Sequence, residues 1–375
     1  MAFIGLGKLD KSLIPIGIGF VFSFLSRLLF NYNNTILYKH SLISNLFLSL
    51  VKLLTIIPLI IFKVRSKSIK NIDKEKNRIN NMNLTFYKDS KQKIILCKYL
   101  YIVLNSAIFV IQGVVLFYTV KIKTNFWIFE SVMILVFYYL IFRIKLYRHH
   151  YLSIGLIILT GLIIDLAIGN LQNDFHYNLI LFALRCARET LYSLHDVINK
   201  YIMERKYGSV YEICFYNGLF CSILIGVFYP INYYLWHLDD FSEYFDNFNK
   251  KELLVLLGFM STQLGLYLFC LITNRDHSPC HIFIIYAFGQ LAYYIDIDIS
   301  QIAIIIGHIF ILFMSLIFNE IIEINFCGLS KNTKKNIMMR ANDEDKNGER
   351  ILTTEEIEID DDVIIELKDK SEQQE

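Results

Sequence analysis

Long runs of apolar residues, separated by short polar links, occupy most of this chain. An apolar run needs about 20 residues to cross, as a helix, a hydrocarbon layer about 30 Å thick. The pattern predicts ten transmembrane helices, at residues 13–30, 42–62, 99–120, 126–142, 152–169, 177–201, 211–230, 253–273, 279–294 and 301–323. The predicted fold class is therefore an all-α polytopic membrane protein.

Three polar segments lie outside or between the predicted helices. Residues 1–12 form a short arm with two lysines, and residues 63–93 form a loop with ten basic and three acidic residues. The tail is formed by residues 324–375. Its part from 341 to 375 is acidic, with fourteen Asp or Glu, four Lys or Arg and no aromatic residue. Such a composition cannot bury enough apolar surface to fold, so the acidic part is predicted to be disordered.

Basic residues are distributed unevenly between the two sides of the predicted membrane. With the N-terminus in the cytoplasm, the arm, the 63–93 loop and the segment 331–340 all fall on the cytoplasmic side and are basic. The opposite side carries few basic residues and the acidic run at 239–246. Positive charge is enriched on the cytoplasmic side of membrane proteins. If one helix were missing from the count, the connections after it would change sides, and basic and acidic connections would be mixed on each side. Ten helices with both termini cytoplasmic is the consistent topology.

Composition agrees with a membrane protein, since 55% of the residues are hydrophobic and 19% are charged. The seven cysteines lie in or beside apolar runs, with no Cys-x-x-Cys spacing and no pairing with histidine. They are interpreted as small buried hydrophobes. No disulfide framework, metal site or cofactor is predicted.

The sixth predicted helix carries most of the ionisable residues found at membrane depth. At about 100° per residue, its polar residues share one face and its small or apolar residues share the other. The polar face holds Arg185, Arg188, Glu189, Tyr192, His195, Asp196 and Lys200. Each charge would cost about 2.5 kcal/mol or more in contact with lipid. This face is therefore predicted to line a water-filled cavity or to pack against other helices, and it is the first candidate for a functional site.

Arg185 and Glu189 are four residues apart and can pair along the helix. Two interpretations stay open for this pair, an internal ion pair that holds the helix in place and a contact with substrate. Arg188 lacks an obvious partner once Arg185 takes Glu189, and a guanidinium group suits bidentate contact with phosphate. Arg188 is therefore the preferred substrate contact, with Tyr192 as a platform on which a base could stack.

Asp196 and Lys200 lie closer to the predicted cytoplasmic end of the same helix. Side chains at a helix end can reach the membrane interface. A structural role is favoured for both, and both stay in the candidate substrate-binding set. The same argument predicts that Lys52 in the second helix and Arg27 in the first extend their charged groups to the interface.

Further polar residues at membrane depth occur in other predicted helices, namely Asn105, Gln112, Glu130, Asp165 and Gln263. Gln112 and Gln263 join the candidate substrate-binding set. Glu130 and Asp165 could carry a coupling proton or pair with an arginine of the sixth helix. Pairing is favoured for each, because an unpaired buried carboxylate becomes neutral.

No catalytic motif accompanies these residues. The chain lacks a Walker phosphate-binding loop, and it contains neither a His-Glu-x-x-His nor a Gly-x-Ser-x-Gly sequence. Each of these motifs has a defined mechanical role in its enzyme class. An ATP-driven pump is therefore disfavoured, and no enzymatic activity is predicted.

Four stretches resemble the drug/metabolite transporter superfamily, in particular its EamA-like and nucleotide-sugar transporter branches. Tyr118–Ser131 resembles the connection between the third and fourth helices, and Leu152–Leu162 resembles the glycine-containing fifth helix. Leu194–Glu204 resembles the end of the sixth helix, and Phe318–Ile322 resembles the end of the last helix in protist members. The likeness covers roughly residues 10–335, and the order and spacing of the four stretches carry it.

The resemblance implies an inverted repeat of five plus five helices, formed by residues 13–169 and 177–323. Carriers with inverted repeats bind their substrate near the membrane midplane. Gly161 and Gly307 would be corresponding points of close packing in the fifth and tenth helices.

One further stretch, Phe215-Tyr-Asn-Gly218, resembles the Phe-Tyr-Asn-Asn nucleotide-binding motif of the family's GDP-sugar carriers. It implies that Tyr216 and Asn217 stack on and hydrogen-bond a base. The companion Gly-Ala-Leu-Asn-Lys motif of the ninth helix is absent, since the chain reads Ala287-Phe-Gly-Gln-Leu-Ala-Tyr293 there. The resemblance therefore does not extend to recognition of guanine.

These features predict a secondary transporter that moves a small polar, anionic metabolite, such as a nucleotide sugar or a phosphorylated metabolite, by alternating access. The expected partners are this substrate and membrane lipid, with no nucleic acid, and assembly into a homodimer is left open. The resemblance implies an endomembrane location, in the Golgi or a vacuole. The alternative is a non-transporting membrane receptor or scaffold that presents its basic loop and acidic tail to cytosolic partners.

Overall fold

Apolar residues with a helical period form α-helix through most of the described chain. The computed structural model describes residues 4–6, 13–39, 41–61, 91–119, 127–143, 146–172, 179–206, 208–236, 250–294, 302–324, 333 and 336. The elements in chain order are β1 (Ile4–Leu6), α1 (Ile14–Lys39), α2 (Ser41–Lys52), α3 (Lys91–Thr119), α4 (Trp127–Phe142), α5 (Arg148–Gln172), α6 (Leu179–Arg205), α7 (Val210–Trp236), α8 (Lys250–Asp276), α9 (Pro279–Gln290), α10 (Ile302–Phe318) and β2 (Ile322–Ile324). Short 3₁₀ turns follow α2 at Leu53–Thr55 and α9 at Leu291–Tyr294.

Each predicted transmembrane segment overlaps one of these α-helices. Most differences lie at the ends, but the predicted helix 42–62 is interrupted, because α2 ends at Lys52 and a 3₁₀ turn follows. α1 continues through an asparagine-rich segment as far as Lys39. α10 ends at Phe318, so the prediction that the last helix extends to residue 323 is wrong. The pattern of apolar runs therefore located the helices, but it did not locate every helix end.

The end of α10 is set by hydrogen bonds and by one unusual backbone angle. The Ile321 N–H donates to the Leu316 carbonyl, and the Glu320 N–H donates to the Ile317 carbonyl, both at 3.0 Å. Glu320 itself has a φ of 57°, in the left-handed region. These features define a Schellman motif, which usually has glycine at the left-handed position. A glutamate at this position is held there at a cost in backbone energy.

Four helical segments are long and apolar enough to cross a membrane, namely Leu42–Ile61, Lys98–Val115, Val210–Ile231 and Lys251–Asp276. Shorter apolar helices accompany them in the described part of the chain, at Ile14–Phe30, Phe129–Phe142, Arg148–Ile164, Pro279–Gly289 and Ile304–Phe318. Large apolar side chains such as Leu162, Ile163 and Leu254 are more than half exposed. Extensive exposed apolar surface marks contact with a membrane or a partner, and together with the long apolar helices it indicates a membrane-embedded protein.

The helices belong to one compact unit, Leu9–Ile321. α1 packs against α8 and α9, and α6 packs against α3 and α4. α2 packs against α7, and α5 packs against α10. Buried residues of α3, α6, α7 and α8, including Ile102, Ile202, Ile213 and Leu271, form one core cluster. Glu189, His195, Asp196 and Lys200 of α6 are also buried, so its ionisable side is covered by other parts of the structure.

A second compact unit contains the two strands. β1 and β2 pair antiparallel, with Ile4 opposite Ile324 and Leu6 opposite Ile322. The arm of residues 1–12 thus contributes a strand, which the pattern of apolar runs did not predict.

Residues 62–90 and 337–375 lie outside the described residues. Most of the predicted basic loop and all of the predicted acidic disorder from 341 onward fall there, so both stay predictions. α3 begins at Lys91, which puts the last three residues of the predicted 63–93 loop in a helix.

Candidate functional site

Lys52, at the end of α2, is buried completely among the helices, with 0% of its surface exposed. Its Nζ donates a 2.8 Å hydrogen bond to Asn217 Oδ1 on α7. The same Nζ lies 3.9 Å from the ring centroids of both Phe109 on α3 and Tyr267 on α8. Aromatic faces attract a cation at this distance. Lys52, Phe109, Tyr267 and Asn217 are referred to as the Lys52 cluster.

The prediction that Lys52 extends its amine to the membrane interface is therefore wrong. Among the described residues, no carboxylate lies within ion-pair distance of its Nζ, whose contacts are an amide oxygen and two rings. Buried charged groups are normally paired, because a charge left alone in the interior costs several kcal/mol. The cluster thus holds a buried lysine with a hydrogen-bond acceptor and two aromatic faces but no described counter-charge.

α2 changes its geometry directly after Lys52. Leu53–Thr55 form a 3₁₀ turn before the helix resumes, and Thr55 Oγ1 donates to the Lys52 carbonyl at 2.7 Å. Gly218 on α7 allows the two helices to meet here, since a Cβ at this glycine would lie 2.7 Å from the Ser49 carbonyl oxygen and 2.8 Å from Lys52 Cβ. A 3₁₀ segment within a longer helix often marks a hinge or a functional position.

Asn217 is the predicted site residue that belongs to the Lys52 cluster. It is fully buried, and its Nδ2 donates to Ser106 Oγ at 3.3 Å, which orients Oδ1 toward Lys52. Tyr216, predicted to stack on a base beside it, packs edge-on against the Tyr99 ring with centroids 4.9 Å apart. Consecutive residues of a helix point about 100° apart, so the two residues of the predicted nucleotide motif have different surroundings.

The polar face of α6 reaches the Lys52 cluster through His195. The centroid of the His195 ring lies 6.0 Å from the centroids of Phe109 and of Tyr267, the two rings that flank Lys52. The Nδ1 atom of His195 lies 3.2 Å from Asp196 Oδ1. The imidazole of His195 therefore lies beside both aromatic walls of the buried lysine, and Asp196 lies next to that imidazole.

Buried amide groups extend this polar region toward α3. Asn199 Nδ2 lies 3.4 Å from His195 Nδ1, and Asn105 Nδ2 donates to Asn199 Oδ1 at 2.7 Å. All three residues are at most 4% exposed. The predicted polar face of α6 is thus enclosed by helices over this stretch, as the cost of exposing charge to lipid requires.

A second charged group lies about two turns closer to the N-terminus of α6. Arg185 Nε lies 3.1 Å from Glu189 Oε1, the pairing that the four-residue spacing predicts. Arg188 Nη1 lies 3.6 Å from the same oxygen, and its guanidinium carbon lies 5.2 Å from the ring centroid of Tyr192. The prediction that Arg188 lacks a partner is wrong, because two arginines share Glu189. These three charged residues are referred to as the Glu189 cluster.

Glu130 on α4 faces the Glu189 cluster from the neighbouring helix. It is 7% exposed, and its backbone carbonyl accepts a 2.8 Å hydrogen bond from Ser193 Oγ. Its Oε1 has no hydrogen-bond partner among the described residues, and its carboxyl group interacts electrostatically with the cluster and with the half-buried Arg27 of α1. Arg27 is half-buried, and the prediction that it reaches the interface stays a prediction. The whole group contains three guanidinium groups and two carboxyl groups.

The contacts of Lys200 connect two helices and give it a structural role. It is 2% exposed, and its Nζ donates to the carbonyls of Arg275 and His277, at 3.2 and 2.8 Å. The same Nζ lies 2.6 Å from Glu204 Oε1, one turn further along α6. A cation that binds the last carbonyls of a helix stabilises its C-terminus, so Lys200 fastens α6 to the end of α8.

The remaining predicted polar residues are spread over other helices. Gln112 on α3 is 2% exposed, and neither polar atom of its side chain has a hydrogen-bond partner among the described residues. Gln263 Nε2 donates to Ser26 Oγ and joins α8 to α1. Asp165 lies in α5, and its side chain is outside the described part of the structure. Gln112 therefore has unused hydrogen-bonding capacity, whereas Gln263 has a helix–helix contact.

Lys52 is the candidate that reasoning from the sequence undervalued. A signal was present, because Lys52 lies near the midpoint of the apolar segment Leu42–Ile61. At about 1.5 Å per residue, that position is roughly 15 Å from either end of the segment. A lysine side chain cannot span such a distance, so the residue had to be buried or to face a cavity.

The arrangement of these groups suits the binding of an anion. The Lys52 cluster contributes one buried amine, one amide and two aromatic faces, and the Glu189 cluster contributes two guanidinium groups. Guanidinium groups match the geometry of carboxylate and phosphate, and aromatic faces pack against other planar rings. In comparisons with known proteins, no family model matches the chain and no curated protein matches it.

Proposed function

We propose that this protein is a membrane carrier that moves a small anionic metabolite by alternating access. The observation that carries the proposal is Lys52, a fully buried lysine between two aromatic rings without a described counter-charge. A nucleotide sugar or a phosphorylated metabolite would supply the missing negative charge. Its organic part would suit the aromatic faces of Phe109 and Tyr267.

The packing order of the helices supports a repeat of five plus five helices, as in the drug/metabolite transporter superfamily. In such a repeat each helix corresponds to the helix five positions later in the chain, so α1 corresponds to α6, α3 to α8 and α4 to α9. Under this relation the contacts of α1 with α8 and α9 correspond to the contacts of α6 with α3 and α4. The contacts α2–α7 and α5–α10 correspond to themselves. Two halves related by a twofold axis have this property, and an odd number of helices in each half inverts one relative to the other.

The position of the Lys52 cluster fits such a repeat. Lys52 and Asn217 lie on α2 and α7, which the repeat exchanges, and Phe109 and Tyr267 lie on α3 and α8, which it also exchanges. Carriers with inverted repeats bind substrate between the two halves, near the midplane, where helices are often interrupted. The 3₁₀ turn beside Lys52 is an interruption of this kind in α2.

The Glu189 cluster offers a second contact for the anion. We expect Arg188→Ala to lower uptake of an anionic substrate by about 10-fold or more, which corresponds to about 1.4 kcal/mol. Arg188→Lys should restore only part of the uptake, because an ammonium group cannot make the bidentate contact of guanidinium. Initial rates in proteoliposomes measure both effects. Equal uptake by wild type and Arg188→Ala would show that this cluster holds α6 in place and does not contact the substrate.

The main test is exchange by proteoliposomes that contain the purified full-length protein. Vesicles preloaded with nucleoside monophosphates or phosphate would be offered labelled nucleotide sugars and phosphorylated sugars. Saturable uptake that needs both the protein and an internal substrate is expected, and the panel would identify the substrate class. Failure of every anionic solute, beside uptake of amines or amino acids, would contradict an anionic substrate.

Asn217→Asp tests the site more sharply. The new carboxylate would lie where Asn217 Oδ1 is now, 2.8 Å from Lys52 Nζ, and would act as a permanent counter-charge. We expect uptake to fall to the protein-free background while the folded protein is retained, because a paired buried charge replaces an unpaired one. Asn319→Asp makes the same change in a half-buried amide directly after the end of α10 and should keep its uptake. Normal uptake by Asn217→Asp would remove Lys52 from the substrate site.

A receptor or scaffold without transport is the alternative if no solute is exchanged. Such a protein should bind its cytosolic partners equally well with Arg188→Ala or Asn217→Asp. The basic loop and acidic tail that would bind them lie mainly outside the described residues. A Golgi or vacuolar location and cytoplasmic termini stay predictions. Tags at each terminus, with protease protection in isolated organelles, would test them.

A further inference from the structure

Two histidines at the start of α5 and a glutamate after the end of α10 form a separate group of ligating side chains. His149, His150 and Glu320 each offer one ligand atom, and these atoms lie within 4.8 Å of one another. Among the described residues, no other set of three His, Cys, Asp or Glu side chains comes this close. From this geometry we propose a binding site for a divalent transition-metal ion of the zinc class, which does not depend on the transport proposal.

The distances and atom types suit a metal ion. His149 Nε2 lies 3.2 Å from Glu320 Oε1. Two ligands bound to a tetrahedral zinc ion at about 2.0–2.2 Å lie about 3.3–3.5 Å from each other. This pair is therefore already at the spacing of two ligands of one ion, and the third ligand atom lies within 4.8 Å of both. Imidazole nitrogens with one carboxylate oxygen form a ligand set that zinc accepts.

Both imidazoles are oriented by their surroundings. The Tyr147 N–H donates to His150 Nδ1 at 3.0 Å, so the proton of the neutral ring lies on Nε2. His150 would bind an ion by giving up this hydrogen bond and using Nδ1 as its ligand atom. His149 is 3% exposed, and its Nδ1 has no hydrogen-bond partner among the described residues. Buried polar atoms are normally satisfied, and a water molecule at Nδ1 would complete this ring while Nε2 holds the ion.

Glu320 holds its carboxylate in this group at a cost in backbone energy. Its φ of 57° lies where a Schellman motif favours glycine. Residues in such conformations are concentrated at functional sites. Three protein ligands leave the fourth position of a tetrahedral ion to water, and the ion would connect the start of α5 to the end of α10.

The test uses purified full-length protein in detergent, stripped with a chelator and titrated with Co²⁺ and then Zn²⁺. We expect one equivalent of Co²⁺, with a visible absorption band that Zn²⁺ removes, and a rise in melting temperature with Zn²⁺. His150→Ala should weaken binding by more than the roughly 10- to 100-fold that loss of an outer-shell partner costs. Glu320→Gly should lose the Zn²⁺-dependent rise and still fold, because glycine removes the left-handed strain.

His281→Ala is the matched control, because His281 stacks on His277 with centroids 4.7 Å apart, outside the proposed site. It should bind Co²⁺ as the wild type does. A wild-type protein with neither a cobalt band nor a zinc-dependent shift would overturn the site and leave His149 and Glu320 as a simple hydrogen-bonded pair. Binding that survives unchanged in both Glu320→Gly and His150→Ala would also overturn it, since the ion would then lie elsewhere.

Discussion

Lys52→Met is expected to abolish uptake of the anionic substrate and to leave the protein at least as stable as the wild type. Methionine is of similar length and would still pack between Phe109 and Tyr267, but it carries no charge. Loss of one partner of a buried charge pair costs about 2–5 kcal/mol, which is about 30-fold to several thousand-fold in affinity. Stability is preserved because the cost of burying an unpaired cation disappears with the cation.

Uptake into proteoliposomes and the melting temperature in detergent measure these two effects separately. Lys98→Met is the matched control, because Lys98 is also mostly buried but pairs with Glu212 at 2.7 Å. Its loss leaves a carboxylate without its partner, so that variant should melt at a lower temperature and keep its uptake. The two variants thus have opposite expected results. A Lys52→Met protein with normal uptake, or one that fails to fold, would contradict the role assigned to Lys52.

Gly218→Ala is expected to destabilise the protein strongly, because α2 and α7 meet at this glycine. The added methyl group would lie 2.7 Å from the Ser49 carbonyl oxygen, a backbone atom that cannot move without shifting α2. Overpacking of this kind costs about 1–3 kcal/mol. The same shift would move Lys52 away from its two rings, so uptake should fall as well.

Gly226→Ala, about two turns further along α7, is the control for this prediction. A Cβ at Gly226 meets nothing within 4 Å. Since alanine favours helix over glycine by up to about 1 kcal/mol, this variant should be as stable as the wild type or more stable. Melting temperatures of the two purified variants provide the comparison. Equal stability would show that α2 and α7 do not touch at Gly218 and would weaken the proposed twofold relation of the helices.

The helices and the enclosure of the polar face of α6 could be predicted because both depend on local properties of the chain. The length of an apolar run sets whether a helix can cross a membrane. The cost of a charge in lipid sets which face of α6 must turn inward, and Glu189, His195 and Asp196 are indeed buried. The ion pair of Arg185 with Glu189 was predictable for the same reason, since it follows from spacing within one helix.

Contacts between distant segments could not be predicted in this way. Lys52 and Asn217 are 165 residues apart, and His149 and Glu320 are 171 residues apart. An apolar run with one lysine does not indicate which neighbour that lysine meets. The left-handed conformation of Glu320 could not be predicted from the sequence either, because glycine is the residue that usually indicates such a conformation.

The sequence by itself determined that this is a helical membrane protein, where its helices lie, and which helix carries the ionisable face. Only the tertiary structure decided that Lys52 lies in the interior between α3, α7 and α8, that Arg188 shares Glu189, and that two histidines meet Glu320. The physical reason is that hydrophobicity and helical period act within a segment. The relative position of two helices depends instead on close packing at particular points, such as Gly218 against α2 and Gly307 against Ile164 of α5.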